Sequence, residues 1–176
     1  MENPYGLKNL DEVWKRVSAL SEPQTEHVYA PVSSASEGRD SAAVWGDDKT
    51  VLGRFIEEKQ KAVCVYKTLA SKCGGRRERA AFRKLSQEEY AHLKKLQRFY
   101  FLLTGDSYTT TPPKQVTGSV LTLLRDMYLA ETESESSYRA TAAASSRKLS
   151  AVYEAIAADE ARHASELERM LEKVIG

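Results

Sequence analysis

Two short stretches of this 176-residue chain place an imidazole three residues after a carboxylate: Glu89-Tyr90-Ala91-His92 and Glu160-Ala161-Arg162-His163. Residues three apart on a helix project from nearly one face, so each stretch brings an oxygen and a nitrogen donor to one point. That combination suits a transition-metal ion, whose hard oxidised form the carboxylates stabilise while imidazole anchors it. With 18 Glu in the chain, a given His follows a Glu at this spacing about one time in ten by composition, yet two of the three histidines do so. Both motifs lie in phase with apolar residues. Leu85, Leu96, Phe99 and Leu103 continue the first stripe, and Leu149, Val152, Ile156, Leu167 and Leu171 continue the second. A carboxylate buried on such a stripe needs a cationic partner.

The motifs belong to a longer repeat. Glu89 and Glu160 are 71 residues apart, as are His92 and His163; Lys59 and Glu131 are 72 apart, as are Tyr66 and Tyr138. A near-constant offset predicts two structurally equivalent helical hairpins. Four segments of helical period carry these residues, at about 50–72, 77–104, 116–144 and 147–174. Cys73-Gly74-Gly75 ends the first, where glycine can supply a left-handed cap; Gly105 stops the second, and Ser145-Ser146 separates the last two. Short links between segments one and two, and between three and four, imply antiparallel pairs. The stretch from Gly105 to Val116, with Pro112-Pro113, is long enough to cross the bundle lengthwise.

On these residues the chain resembles the ferritin-like superfamily, and within it the rubrerythrin-like di-iron carboxylate proteins. The resemblance covers about residues 50–174 and rests on the paired motifs, with softer support from the FIEEKQKAVCVYKTLA and AIAADEARH stretches. It implies an all-α, antiparallel four-helix bundle of two hairpins joined by a crossover. By position it implies Glu89 and Glu160 as bridging carboxylates, His92 and His163 as terminal ligands, and Glu131 as the terminal carboxylate of the third helix. The cofactor it implies is iron, in a di-iron or single-metal site, with manganese as the other option. The chemistry it implies is oxidoreductase action on peroxide or oxygen, fed by a separate electron-donor protein because the two CxxC pairs of the rubredoxin-type centre are missing. It also implies pairing into a homodimer.

Two positions depart from that pattern. The sixth ligand position, on the first helix, holds Lys59, in phase with Phe55, Val63, Tyr66 and Cys73. Glu58 is rotated by ~100° from it and would serve only in a locally over- or underwound helix. A second inward carboxylate after Glu131 is replaced by Ser134, with Glu135 as a substitute on the same face. A metal position near His92 therefore suffers most from the Lys59 exchange. A reading of a different class stays open beside the metal one: the Lys59 ammonium takes the place of metal charge among Glu89, Glu131 and Glu160, in a structural or interaction module. Tyr66 and Tyr138 are either core aromatics, or donors to a ligand carboxylate or a radical relay near the metals.

Composition bounds the rest. Lys and Arg number 26 against 25 Asp and Glu, so overall charge gives no reason to expect a nucleic-acid or membrane-surface partner. The run of 12 basic against 5 acidic residues over 57–98 reads as a solvated face. Residues 1–48, with 4 basic and 9 acidic side chains, read as a short amphipathic helix over 7–20 followed by an extended arm that can lie against those basic helices; residues 49–176 form the bundle. No apolar leader precedes the first helix, and the two cysteines, Cys64 and Cys73, form no CxxC pair. A cytoplasmic protein with free, mostly buried thiols is the expectation.

Overall fold

A computed structural model describes residues 41–175, with side chains described from 49 to 173. The predicted helix over 7–20 and most of the predicted arm lie outside the described residues. Four helices and no strands are present among them: α1 Ser41–Lys72, α2 Arg76–Thr104, α3 Val120–Ala144 and α4 Arg147–Ile175. The first begins about nine residues before the predicted start, within what reads from sequence as an arm. Residues 41–48 lack an apolar period, so periodicity gives no signal there, although Ala42 and Ala43 favour helix on propensity alone.

The helix ends follow local chemistry. Ser119 caps α3 by accepting a bond from the Thr122 backbone N–H at 3.1 Å, which moves the start of that helix from the predicted 116 to Val120. Gly105 closes α2 in the left-handed conformation at φ 77°, its N–H bonded to the Phe101 carbonyl. The link after α1 does not use that device: Gly75 has φ −73° and precedes α2 in extended backbone, contrary to the left-handed cap expected there. Both cysteines are free and half-buried rather than buried.

Helix α3 is rich in Ser and Thr, which compete with the backbone for hydrogen bonds. Here Thr132 and Thr141 resolve the competition by donating to carbonyls four residues earlier. Their hydroxyls are thereby satisfied without leaving the helix.

α1 pairs with α2 and α3 with α4, each hairpin in close contact along its length. Ser86 also donates from α2 to the Val63 carbonyl of α1. Two apolar clusters fill the ends of the bundle. One joins Leu52, Phe55 and Ile56 to Leu96, Tyr138, Tyr153 and Ile156; the other joins Val65, Tyr66 and Leu69 to Phe82, Leu85, Leu124, Met127 and Leu167. Each fully buried aliphatic or aromatic side chain contributes about 1.5–3 kcal/mol. Residues of the connection after α2 contact α1 along much of its length. The Tyr108 ring lies beside Gly53, Thr110 donates to Gln60, and the Gly118 carbonyl accepts from Lys72.

A buried carboxylate and imidazole layer

Between the two apolar clusters lies a polar layer. Lys59, Glu89, His92, Glu131, Glu160 and His163 are all at most 5 % exposed. Each arrives there for the same reason: it occupies a core-facing position in an otherwise apolar stripe, so packing the stripe buries it. All five expected ligand residues and Lys59 therefore meet, and the two histidine rings stand 6.1 Å apart.

Glu89, Glu131, Glu160 and His163 each present a donor atom within 4.8 Å of the other three. His163 turns Nδ1 inward, 3.0 Å from Glu89 Oε1 and 3.7 Å from Glu131 Oε2. His92 also turns Nδ1 inward, toward Glu160 Oε1 at 3.3 Å and Glu89 Oε1 at 3.7 Å. These approaches are close but poorly aligned for hydrogen bonds. Glu89 Oε1, Glu160 Oε1 and the two Nδ1 atoms have no hydrogen-bonding partner of good geometry among the described residues, while Glu89 Oε2 is taken up by an ion pair with Lys59. Donor atoms that converge on a shared point, rather than aligning on one another, suit a cation there once the imidazoles give up their inner protons.

Lys59 supplies one cation. Its Nζ lies 2.8 Å from Glu89 Oε2 and in direct contact with Glu160 Oε2, and 5.5 Å from the Tyr138 ring centre. Glu131 is not among its direct partners. Burial works against the lysine's charge, yet Glu89 and Glu160 hold its pKa well above the ordinary range. Burial likewise opposes charge on Glu89, but Lys59 and the histidines pull its carboxyl well below the usual value. Glu131 is held less strongly: burial, with the charges of Glu89 and Glu160, raises it to about 7 against the pull of His163 and Lys59. Burial disfavours both imidazolium ions, but their carboxylate neighbours prevail, raising His92 to about 9 and His163 to about 10.

The two tyrosines differ. Tyr66 donates its hydroxyl to Glu131 Oε1, behind the carboxylate. Tyr138 stacks on Phe55 at 4.1 Å, and its buried hydroxyl has no hydrogen-bonding partner among the described residues, so it gives no bond to a site carboxylate.

Neither proposed replacement carboxylate joins the layer. The Glu58 side chain is 43 % exposed, with Arg54 at 4.0 Å, because the unbroken helical period turns it off the core stripe. Glu135 pairs instead with Arg139 at 3.0 Å at the surface.

Two further carboxylates escaped the sequence reading. Each histidine points Nε2 outward to an acid on the opposite motif: His163 meets Glu88 at 3.1 Å, and His92 meets Asp159 at 3.1 Å. Arg162 ties both together, contacting Glu88 at 3.3 Å and Asp159 at 3.0 Å. An acid behind the outer nitrogen fixes ring orientation and raises ligand basicity. The signal was present as an acid immediately before each motif glutamate, at the same 71-residue spacing.

No family model matches the chain, and no curated protein matches it. Among solved structures it resembles a hypothetical protein from Pyrococcus furiosus, with a TM-score of 0.65 and 19 % identity over 73 % of this chain and 90 % of that one. At that identity the likeness bears on the fold alone.

Proposed function

We propose that this is a ferritin-like, rubrerythrin-like protein that binds a single iron or manganese ion through Glu89, Glu131, Glu160 and His163. The observation that carries the reading is the convergence of four buried donor residues within 4.8 Å, with Nδ1 of His163 and Oε1 of Glu89 lacking well-aligned partners. The contacts of the 105–119 connection along α1 support the lengthwise crossover of that superfamily.

Three carboxylates and one imidazole fit a hard, redox-capable ion. When bound, such an ion would supply one-electron chemistry and Lewis acidity toward peroxide or oxygen, the oxidoreductase role proposed here, with electrons from a separate donor protein. The chain's own groups do the rest. Glu88 holds the His163 ring with Nδ1 inward, and Tyr66 fixes Glu131. Lys59 neutralises the far oxygens of Glu89 and Glu160 on the His92 side, where it takes the place of a second ion. Binding must displace the protons that the metal-free fold keeps on His163 and, near neutral pH, partly on Glu131.

The direct Lys59 pairs with Glu89 and Glu160 also favour a second reading, a metal-free structural bundle in which the ammonium alone offsets buried charge. Loading the full chain with excess iron or manganese, followed by desalting and elemental analysis, separates the two. The metal reading expects one ion per chain, lost in His163→Ala and retained in His92→Ala. No retained ion in the folded wild type would leave the structural bundle.

A further inference from the structure

Two members of the buried layer, Lys59 and Glu131, also line a cleft between α1 and α3 with about 470 Å³ of space. That volume lies within the range of small-molecule sites, roughly 300–1,000 Å³. The gap exists because α3 turns small residues, Ala130, Ser134 and Ser137, toward α1, while residues 113–117 of the connection roof it. Its apolar walls are Ala62, Val65, Val116, Leu123 and Met127, and the exposed side chains of Arg54, Glu58, Lys61, Asp126 and Glu133 charge its outer rim. The inner end is polar, made of an ammonium and a carboxylate that are each 2 % exposed.

The charges at that end select the ligand. An ammonium carries three N–H groups, and Lys59 directs two toward Glu89 and Glu160. Glu131 takes one bond from Tyr66, and a carboxylate can accept several. A cationic head group would be desolvated beside the Lys59 ammonium, and an anionic one would join Glu131 and the Glu89 and Glu160 carboxylates that Lys59 already serves. A neutral O–H group suits both neighbours, accepting from the ammonium and donating to the carboxylate. We infer that the α1–α3 cleft is a binding site for an uncharged molecule with a compact apolar body and a single hydroxyl-type head group, of the alcohol, phenol or hydroperoxide class. The site requires no metal and goes beyond the ion-binding role.

Four molecules of nearly one shape test this: 2-phenyl-2-propanol, its hydrocarbon counterpart tert-butylbenzene, its ammonium counterpart and the matching carboxylate. Binding to the full chain is followed by calorimetry and by amide shifts, with metal content measured in the same samples. The alcohol should bind one per chain and shift residues around Val116 and Ser134. The other three should bind about tenfold more weakly or worse, the worth of one or two hydrogen bonds. Ser134→Trp, which fills the cleft, should weaken the alcohol by about tenfold or more, and Ala130→Phe serves the same purpose if the first variant misfolds. No alcohol binding at millimolar concentration, equal binding of all four molecules, or wild-type affinity in a folded cleft-filling variant would overturn the inference, whatever the metal content.

Discussion

The two halves of the buried layer arise from one repeated pattern, yet their inner partners differ. In one half His163 faces Glu89 and Glu131, and Tyr66 braces Glu131 from behind. In the other His92 faces Glu160 and Glu89, but the position equivalent to Glu131 is Lys59, already engaged with both of those carboxylates. The outer supports are nearly symmetric, Glu88 behind His163 and Asp159 behind His92. A single exchange of acid for amine at one inner position thus converts a symmetric scaffold into one open half and one half closed by an internal cation. The scaffold tolerates this because one ammonium among buried carboxylates offsets much of their desolvation cost.

The largest effect should come from removing the group both halves share. Glu160→Ala strips Lys59 and His92 of a carboxylate and removes a donor from the proposed ion site. It should cost about 3–5 kcal/mol of stability, the usual penalty for breaking a buried pair, and abolish ion retention. Urea denaturation of the metal-free proteins measures the first, and a loss below about 1 kcal/mol would show that the Lys59 pairing is energetically idle.

Next in size is the dependence on pH. Unfolded imidazoles titrate near 6.5, whereas those in the fold keep their protons to about 9 and about 10. Glu131, raised from 4.5 to about 7, has the same sign. Above these unfolded values the folded chain holds more protons than the unfolded one. The histidine contribution to metal-free stability is therefore full below about pH 6.5 and disappears as pH rises through 9 to 10. Ion affinity should move the opposite way, because the ligands must shed those protons. A urea midpoint in chelator that stays flat from pH 6 to 10 would contradict the charge assignment.

Much of this arrangement was legible in the sequence. Positions 89, 92, 160 and 163 could be placed on core-facing stripes because helical period is strong there, and the repeat brought Glu131 and Lys59 into register with them. Periodicity identifies the face of a helix but not which oxygen meets which proton. That is why Tyr66 and Tyr138, equivalent by repeat, could not be told apart until one proved to reach Glu131 and the other to stack on Phe55. Glu88 and Asp159 were missed for a related reason: they sit beside the stripe, and the opposite motif, not their own helix, supplies their role. The early start of α1 carried no periodic signal at all.

The outer acids offer a sharper test of the asymmetry. Glu88→Gln should weaken ion binding by about 10- to 100-fold, because Glu88 orients His163, the proposed ligand, whereas Asp159→Asn, behind His92, should change it by less than about threefold. Equal losses would mean that both halves hold metal. The smallest effect expected is that of the tyrosine hydroxyls. Tyr66→Phe should cost about 1–2 kcal/mol by depriving buried Glu131 of its donor, while Tyr138→Phe should be nearly neutral, since no hydrogen bond is lost. Thermal unfolding of both variants beside wild type measures the difference.

The central claim, that Lys59 makes the layer a one-ion site, is tested most directly by ion stoichiometry. Wild type and Lys59→Glu are loaded side by side under the same excess of iron or manganese, desalted and analysed for metal per chain. The expected result is one tightly held ion in wild type, rising toward two when the acid at position 59 completes the His92 half. Two ions in wild type, unchanged by the substitution, would contradict the claim, as would the absence of any retained ion in both proteins.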